Sequence, residues 1–442
     1  MQLERLTARV KGKLGRDAHT REMLLGSTVA LMVKVLAAGA AFLMNIVVAR
    51  KLGASESGLF FLGMTIVTLV AAVARMGLDN TLVRFIAAEQ SAGNPGAVLS
   101  IYRQGVRWTA GLAMLCMLAM LALVPFLTTH LFEQPGFAPV LFTMSMAIPL
   151  LALSTLHAQA LQGLKRIAQA MTTLNVCIPM LLLAVLLALP IDSAERTGWA
   201  YLACCGMALL LGYAWWRKAA PYTAPVVHFE RSTLVASCIP LWGAALLAQL
   251  IQWSSQLLLG AWGSTIDVAL FASALRTAML TSFVLIAINS IAAPKFAAMH
   301  RQGDMQGLRR TALLSVRLML LAAVPALGIM LLLPEWLMGL FGHEFRAAAP
   351  ALMILALGQF VNIATGSVGL LLSMSGHERL LRLNMLIGAI MAVGLGLLLI
   401  PQHGLIGAAV ATATAVAVQN LLGVFQVKRV LGFNTLAFWQ KI

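Results

Sequence analysis

Apolar stretches of 19 to 27 residues recur along the whole chain, and the short polar breaks between them hold most of its charge. Twelve runs are read at residues 24–48, 57–78, 107–128, 138–161, 170–190, 198–216, 234–260, 268–293, 311–333, 347–373, 383–401 and 404–427. Runs of that length match the roughly 20 residues a helix needs to cross the hydrocarbon core of a bilayer. Many contain Gly, Pro, Ser or Thr, which spanning helices tolerate because neighbouring helices satisfy the loosened backbone. Pro149, Pro179, Pro240 and Pro325 are expected as kinks.

Composition agrees. Of 442 residues, 60% are hydrophobic and only 10% charged, against about 25% charged in soluble chains. A polytopic, all-α integral membrane protein is expected, with no room for large extramembrane domains. The 31 Lys and Arg outnumber the 15 Asp and Glu, giving a net charge of +16. No basic run is interleaved with aromatics, so a nucleic-acid partner is not expected. Orientation explains the surplus instead. With a cytoplasmic N-terminus, 23 basic residues fall in inner segments, whereas only Arg50, Lys51, Arg196 and Arg346 fall outside. An even number of spans then returns the C-terminus to the cytoplasm. Residues 1–23 are read as a basic cytoplasmic tail and 428–442 as a second one. The first apolar run is too long for a signal peptide. Cys116, Cys177, Cys204, Cys205 and Cys238 have neither disulfide-framework nor zinc-ligand spacing and are read as small core hydrophobes.

Shifting the sequence by 209 to 213 residues lays one half on the other. The turn from Leu52 to Phe60 resembles Trp262 to Phe271, and the loop from Arg84 to Asn94 falls on Pro294 to Asp304 without a gap. Leu131-Phe132 recurs as Leu340-Phe341, and Gln162 to Arg166 as Ser375 to Arg379. About twelve helices in two six-helix lobes, 24–218 and 232–427, joined by an inner loop at 219–231, are therefore expected. Six is even, so both lobes point the same way about a pseudo-two-fold axis along the membrane normal. Two lobes of this kind can rock about a site at their interface.

A charge inside the bilayer is costly, which makes each embedded ionisable group a functional candidate. Lys34 lies about ten residues into the first run on a small, polar stripe with Ser27, Ala30, Ala38, Ala41 and Asn45. Arg276 lies about eight residues into the eighth run, near Ser273 and Thr277, while Arg75 and Arg317 stand closer to inner ends and Arg75 is four residues from Asp79. Trp242, Gln249, Gln252 and Gln256, with Trp253 adjacent, share one face of the seventh run; Gln359, Asn362, Gly366 and Ser373 share one of the tenth. Amides and aromatic rings suit a hydroxyl-rich sugar, and they equally suit interhelical hydrogen bonds. His157 and Asn289 are read as satisfied core residues.

All fifteen acids lie in the tail, in loops or at run ends. Cation antiporters usually carry a mid-membrane carboxylate, and the first run offers a lysine in that place. Phosphate-cradling loops, nucleophile elbows, zinc motifs and metal or cofactor sites are not found, so no enzymatic activity is expected.

Ala49-Arg50-Lys51-Leu52-Gly53 with Gly58, Arg75 to Asp79, Leu161 to Arg166, Pro294 to Asp304, Leu340 to Phe345 and Gly404 to Ala409 resemble the polysaccharide transporter branch of the multidrug/oligosaccharidyl-lipid/polysaccharide flippase superfamily. The likeness runs from about residue 20 to 432. It implies two six-helix lobes around a cationic cavity, and flipping of an undecaprenyl-pyrophosphate-linked oligosaccharide, an O-antigen or exopolysaccharide repeat unit, across a bacterial inner membrane. Lys34, Arg75 and Arg276 would then attract pyrophosphate, with Arg317 a fourth substrate-binding cation of the cavity. Asn45, Gln249, Gln252, Gln256, Trp253, Gln359 and Asn362 would line the cavity for sugar. Membrane lipids, a polysaccharide polymerase and a chain-length regulator are the other expected partners. A lipid II flippase, a multidrug antiporter and a membrane polymerase or ligase stay open as alternatives.

Overall fold

The computed structural model describes residues 2–220, 227, 229–437 and 439, and the side chains of 2–32, 287, 290, 291 and 294 lie outside that description. The basic side chains of the N-terminal tail, Ser27, Ala30, the Pro294 side chain, most of the 219–231 loop and Lys441 are thus outside the described residues.

Ten helices among the described residues are long and apolar enough to cross a membrane. Two of these, Val33–Ala74 and Glu378–Leu431, run 42 and 54 residues, about twice the length of one crossing. Each is broken by one glycine in a conformation closed to most side chains. Gly53 (φ 72°) divides α1, Gln2–Ala74, and Gly404 (φ 48°) divides α16, Glu378–Leu431. Each therefore supplies two crossings, which brings the passes to the twelve expected.

Between them lie α2, Leu78–Ser91; α3, Pro95–Phe126; α4, Phe137–Ser145; α5, Ala147–Gly163; α6, Ile167–Met171; α7, Cys177–Ala188; and α8, Ala194–Ala219. The second half continues with α9, Arg231–Trp262; α10, Thr265–Ala278; α11, Ser282–Gln302; α12, Met305–Leu332; α13, Pro334–Gly339; α14, Ala349–Thr365; and α15, Val368–Met374. Pro240 and Pro325 lie inside α9 and α12. Pro149 and Pro179 mark irregularities one turn upstream within the spans Phe137–Gly163 and Ile167–Ala188. Each begins a helix as its third residue, after the break at Met146 and after the π-helical turn Thr172–Val176. A proline clashes with the carbonyl four residues before it, so the helix breaks upstream and the proline settles in a first turn, where no amide is missed.

The repeat is visible in the backbone. Gly93 (φ 74°) precedes the cap of α3, and Gly303 (φ 73°), 210 residues on, precedes that of α12. Ser55 Oγ lies 3.3 Å from Thr265 Oγ1. These residues are also 210 apart, and a contact between equivalent positions is what a two-fold axis passing between them requires.

The buried core forks. At the end that holds the Gly53 turn, one apolar cluster is shared by both halves, joining Phe60, Phe61 and Leu62 to Phe271, Leu275, Phe341 and Phe345. Towards the other end it splits in two. Leu78, Leu82, Ile86, Tyr102 and Trp216 form the core of the first half, and Phe296, Leu308, Val368 and Val427 that of the second. The α9 helix straddles this division: Leu234 and Cys238 belong to the first-half cluster, and the rest of α9 lies along α16.

Candidate functional site

The seam between the halves is built from helix ends. Where Gly53 breaks α1, the restarted helix exposes amides that its own backbone cannot satisfy. The Ala54 amide donates to Glu344 Oε2 at 3.0 Å, a carboxylate from the other half placed at the positive end of a helix. Arg50 Nε donates to the Leu340 carbonyl at 2.7 Å. Within the first half, the Lys51 ammonium donates to the carbonyls of Leu186 and Leu189, and the Ala194 amide donates to Glu56 Oε2 at 2.7 Å. Packing below this rim is tight: a Cβ on Gly58 would lie 1.9 Å from the Thr265 carbonyl oxygen.

Deeper in the seam, Gln256 Nε2 donates to the Phe61 carbonyl at 3.0 Å. The Arg276 guanidinium stacks over the Phe61 ring, 4.3 Å from its centroid. Both terminal nitrogens of Arg276 are buried without a hydrogen-bond partner. Eleven residues past Thr265, this cation stands about 16 Å below the rim, near the middle of the bilayer. A desolvated cation–π contact contributes about 2 kcal/mol. Burying an unpaired charge costs several. On stability alone, Arg276 is thus an unfavourable residue at this depth.

A second feature lies beside it inside the second half. A cavity of about 260 Å³ is lined by residues of α9, α10, α11, α14 and both segments of α16. Three expected residues, Gln252, Gln359 and Asn362, converge on it. Ser282, Thr412, Gln419 and Asn420 join them and were missed by sequence reasoning. Their signal was present: Thr412, Val416, Gln419 and Asn420 follow helical spacing within the last apolar run. Leu275 also lines the cavity, and Arg276, the next residue, points to the seam.

The remaining expected residues are not drawn into that cluster. Gln249 Oε1 accepts from Trp253 Nε1 at 3.1 Å on the same helix, so both are used locally. Asn45 is buried and donates to the Ala41 carbonyl of its own helix at 2.6 Å. Trp242 meets Gly77, whose Cβ would come 2.6 Å from the Trp242 nitrogen. Arg75 Nε forms an ion pair with Asp79 at 2.9 Å, the pairing their spacing suggested. Arg317 is half-buried on α12. Lys34 is half-buried 16 residues before Arg50, about 24 Å along α1, so it lies deeper towards the far end than Arg276 does. His157 is satisfied, with Nδ1 donating to the Leu153 carbonyl at 2.6 Å and Nε2 meeting the Tyr102 hydroxyl at 2.9 Å. Asn289 accepts from Ser367.

Among the described residues no group of three or more His, Cys, Asp or Glu is placed to hold a metal ion. The Arg75–Asp79 ion pair, the stacked Arg276 and the amide-lined cavity are the polar features that the described residues place within the spans.

Comparison with known proteins agrees with this architecture. The chain is 24% identical over 406 residues to the probable low-salt glycan biosynthesis flippase Agl15 of Haloferax volcanii, covering 90% of this chain and 82% of that protein. Its structure is similar to the inward-facing conformation of a multidrug-resistance transporter of the MATE family and MOP superfamily, with TM-score 0.77, 14% identity, and 92% and 98% of the two chains covered. It is likewise similar to the lipid II flippase MurJ in an inward closed conformation, with TM-score 0.73, 12% identity, and 92% and 87% covered. The profile of the family described as polysaccharide biosynthesis protein matches residues 23–300, more than half of the sequence. With that match and this fold, the chain is a multi-pass membrane protein that belongs to the polysaccharide biosynthesis protein family and has the architecture of the MOP transporter superfamily.

Proposed function

We propose that this protein flips an undecaprenyl-pyrophosphate-linked oligosaccharide, an O-antigen or exopolysaccharide repeat unit, from the cytoplasmic to the outer leaflet of a bacterial inner membrane. The observation that carries this reading is Arg276, an unpaired cation buried in mid-membrane against the opposite half. Such a group suits a substrate whose anionic part must cross the hydrocarbon core, and Lys34 lies further along the same route. The family match and the glycan-flippase relative support the substrate class. A cation-coupled antiporter finds less support, because Asp79, among the most embedded acids of the sequence, is occupied by Arg75.

Both termini are taken as cytoplasmic from the excess of basic residues in the inner segments. The Gly53 end then faces outward, and the forked core opens inward. The bodies that rock are the two lobes, 24–218 and 232–427, with the first turns of α9 riding on the first. Substrate headgroup enters between the two cores at the inner end, the lipid tail stays in the bilayer, and separation at the Gly53 rim releases the unit outside. A polymerase and a chain-length regulator would act next on the exported unit.

Lys34→Ala and Arg276→Ala, each at normal protein level in cells lacking their own flippase, are expected to lower export of repeat units at least about tenfold, the weight of one charged contact. Unchanged export in both variants would overturn the assignment.

A further inference from the structure

We propose that the cavity inside the second half is a separate subsite that reads the glycan, taking one neutral pyranose and excluding the phosphate; this rests on the flippase reading above. At about 260 Å³ it is just below the size range of pockets for drug-sized ligands, which fits a single ring. No charged side chain lines it among the described residues. A phosphate would find no cation there, and a metal ion no carboxylate.

The polar atoms facing the cavity are both donors and acceptors. Gln359 Oε1 accepts from Ser282 Oγ at 2.8 Å and from Asn362 Nδ2 at 3.2 Å, which leaves the Gln359 amino group and the Asn362 oxygen open. Asn420 Nδ2 donates to the Val416 carbonyl at 2.8 Å and keeps its own oxygen. Gln252 reaches only the Met279 sulfur, at 4.0 Å, and Gln419 has no hydrogen-bond partner among the described residues. All five amides line the cavity, and none of their open atoms is among the buried polar atoms left without a partner. Vicinal hydroxyls, each a donor and an acceptor, match such a mixed set, whereas a cation would leave every amide N–H unused. Gly388 lets Gln419 and Ile251 of the cavity wall pack close: a Cβ there would come 3.1 Å from Gln419 Oε1. Leu275 on the wall and Arg276 next to it at the seam set ring and pyrophosphate on adjoining sides of one helix.

The test uses the full chain in lipid nanodiscs and two probes, a short polyprenyl pyrophosphate and the same lipid bearing one neutral pyranose. Wild type is expected to bind both, the sugar-bearing lipid about tenfold tighter. Gln252→Leu and Gln419→Leu should each abolish that tenfold preference and leave the Kd for the bare lipid unchanged. The two residues come from different helices, so each variant repeats the test independently of the other's folding. Equal loss for both lipids in variants that melt like wild type, or no preference in wild type, would overturn the subsite alone. Wild type that binds neither lipid would overturn the flippase reading, and the subsite with it.

Discussion

Arg276 is the residue whose position is hardest to explain by stability. Its terminal nitrogens have no partner, and its main contact is the face of a buried phenylalanine from the other half. Replacing it by Leu removes a buried charge of similar volume, so Arg276→Leu is expected to leave the melting temperature in detergent equal to or above that of wild type, while export falls at least about tenfold. A drop in melting temperature would mean that the arginine is structural. Spacing along the eighth apolar run was enough to single Arg276 out. The Phe61 ring over it was not legible, because that contact is made across the seam by a residue more than 200 positions away. The amides divide the same way: helical period puts Gln249 and Gln252 near one face, yet only the structure gives Gln249 to Trp253 and leaves Gln252 at the cavity.

Helix ends hold the rim shut. Glu344 accepts the Ala54 amide where α1 restarts after Gly53, and a capping side chain of this kind contributes about 0.5–1 kcal/mol. Glu344→Ala is therefore expected to slow disulfide formation between cysteines placed at Ser55 and Thr265 by about two- to fivefold. An unchanged rate would show that apolar packing alone keeps the rim closed. Long apolar runs made the spanning helices readable, including both crossings of α1 and of α16, where Gly53 falls between two runs and Gly404 opens the last one. Breaks inside the runs were less legible. Pro149 and Pro179 announced irregularity correctly, but sterics with the carbonyl four residues back moved it upstream. The division of α9 between two cores was not readable either, since hydropathy carries no record of which partner an apolar face meets.

The whole molecule shares one buried core between its halves at the Gly53 end and has a separate core in each half towards the other, with the start of α9 bridging to the first. Equivalent residues Ser55 and Thr265 meet at the joined end, and Gly58 lies against the Thr265 backbone with no space for a methyl group. Gly58→Ala is accordingly expected to prop that end open, with cross-linking of the Ser55 and Thr265 positions falling about tenfold and transport falling with it, because contacts this short cannot be relieved by side-chain motion. Cross-linking at the wild-type rate would argue that the seam never closes this tightly in the membrane. The internal repeat had already announced two lobes, and the contact at an offset of 210 residues locates their axis.

Reconstituted translocation shows whether substrate crosses through this seam. Protein carrying Ser55→Cys and Thr265→Cys is placed in proteoliposomes with a fluorescent polyprenyl-pyrophosphate-linked oligosaccharide, and transfer between leaflets is followed by quenching from outside. Transfer is expected when the cysteines are reduced, to stop when they are oxidised, and to return on addition of reductant. Transfer that continues unchanged through a closed disulfide, or that is absent from reduced and wild-type protein alike, would contradict a flippase that works by opening this seam.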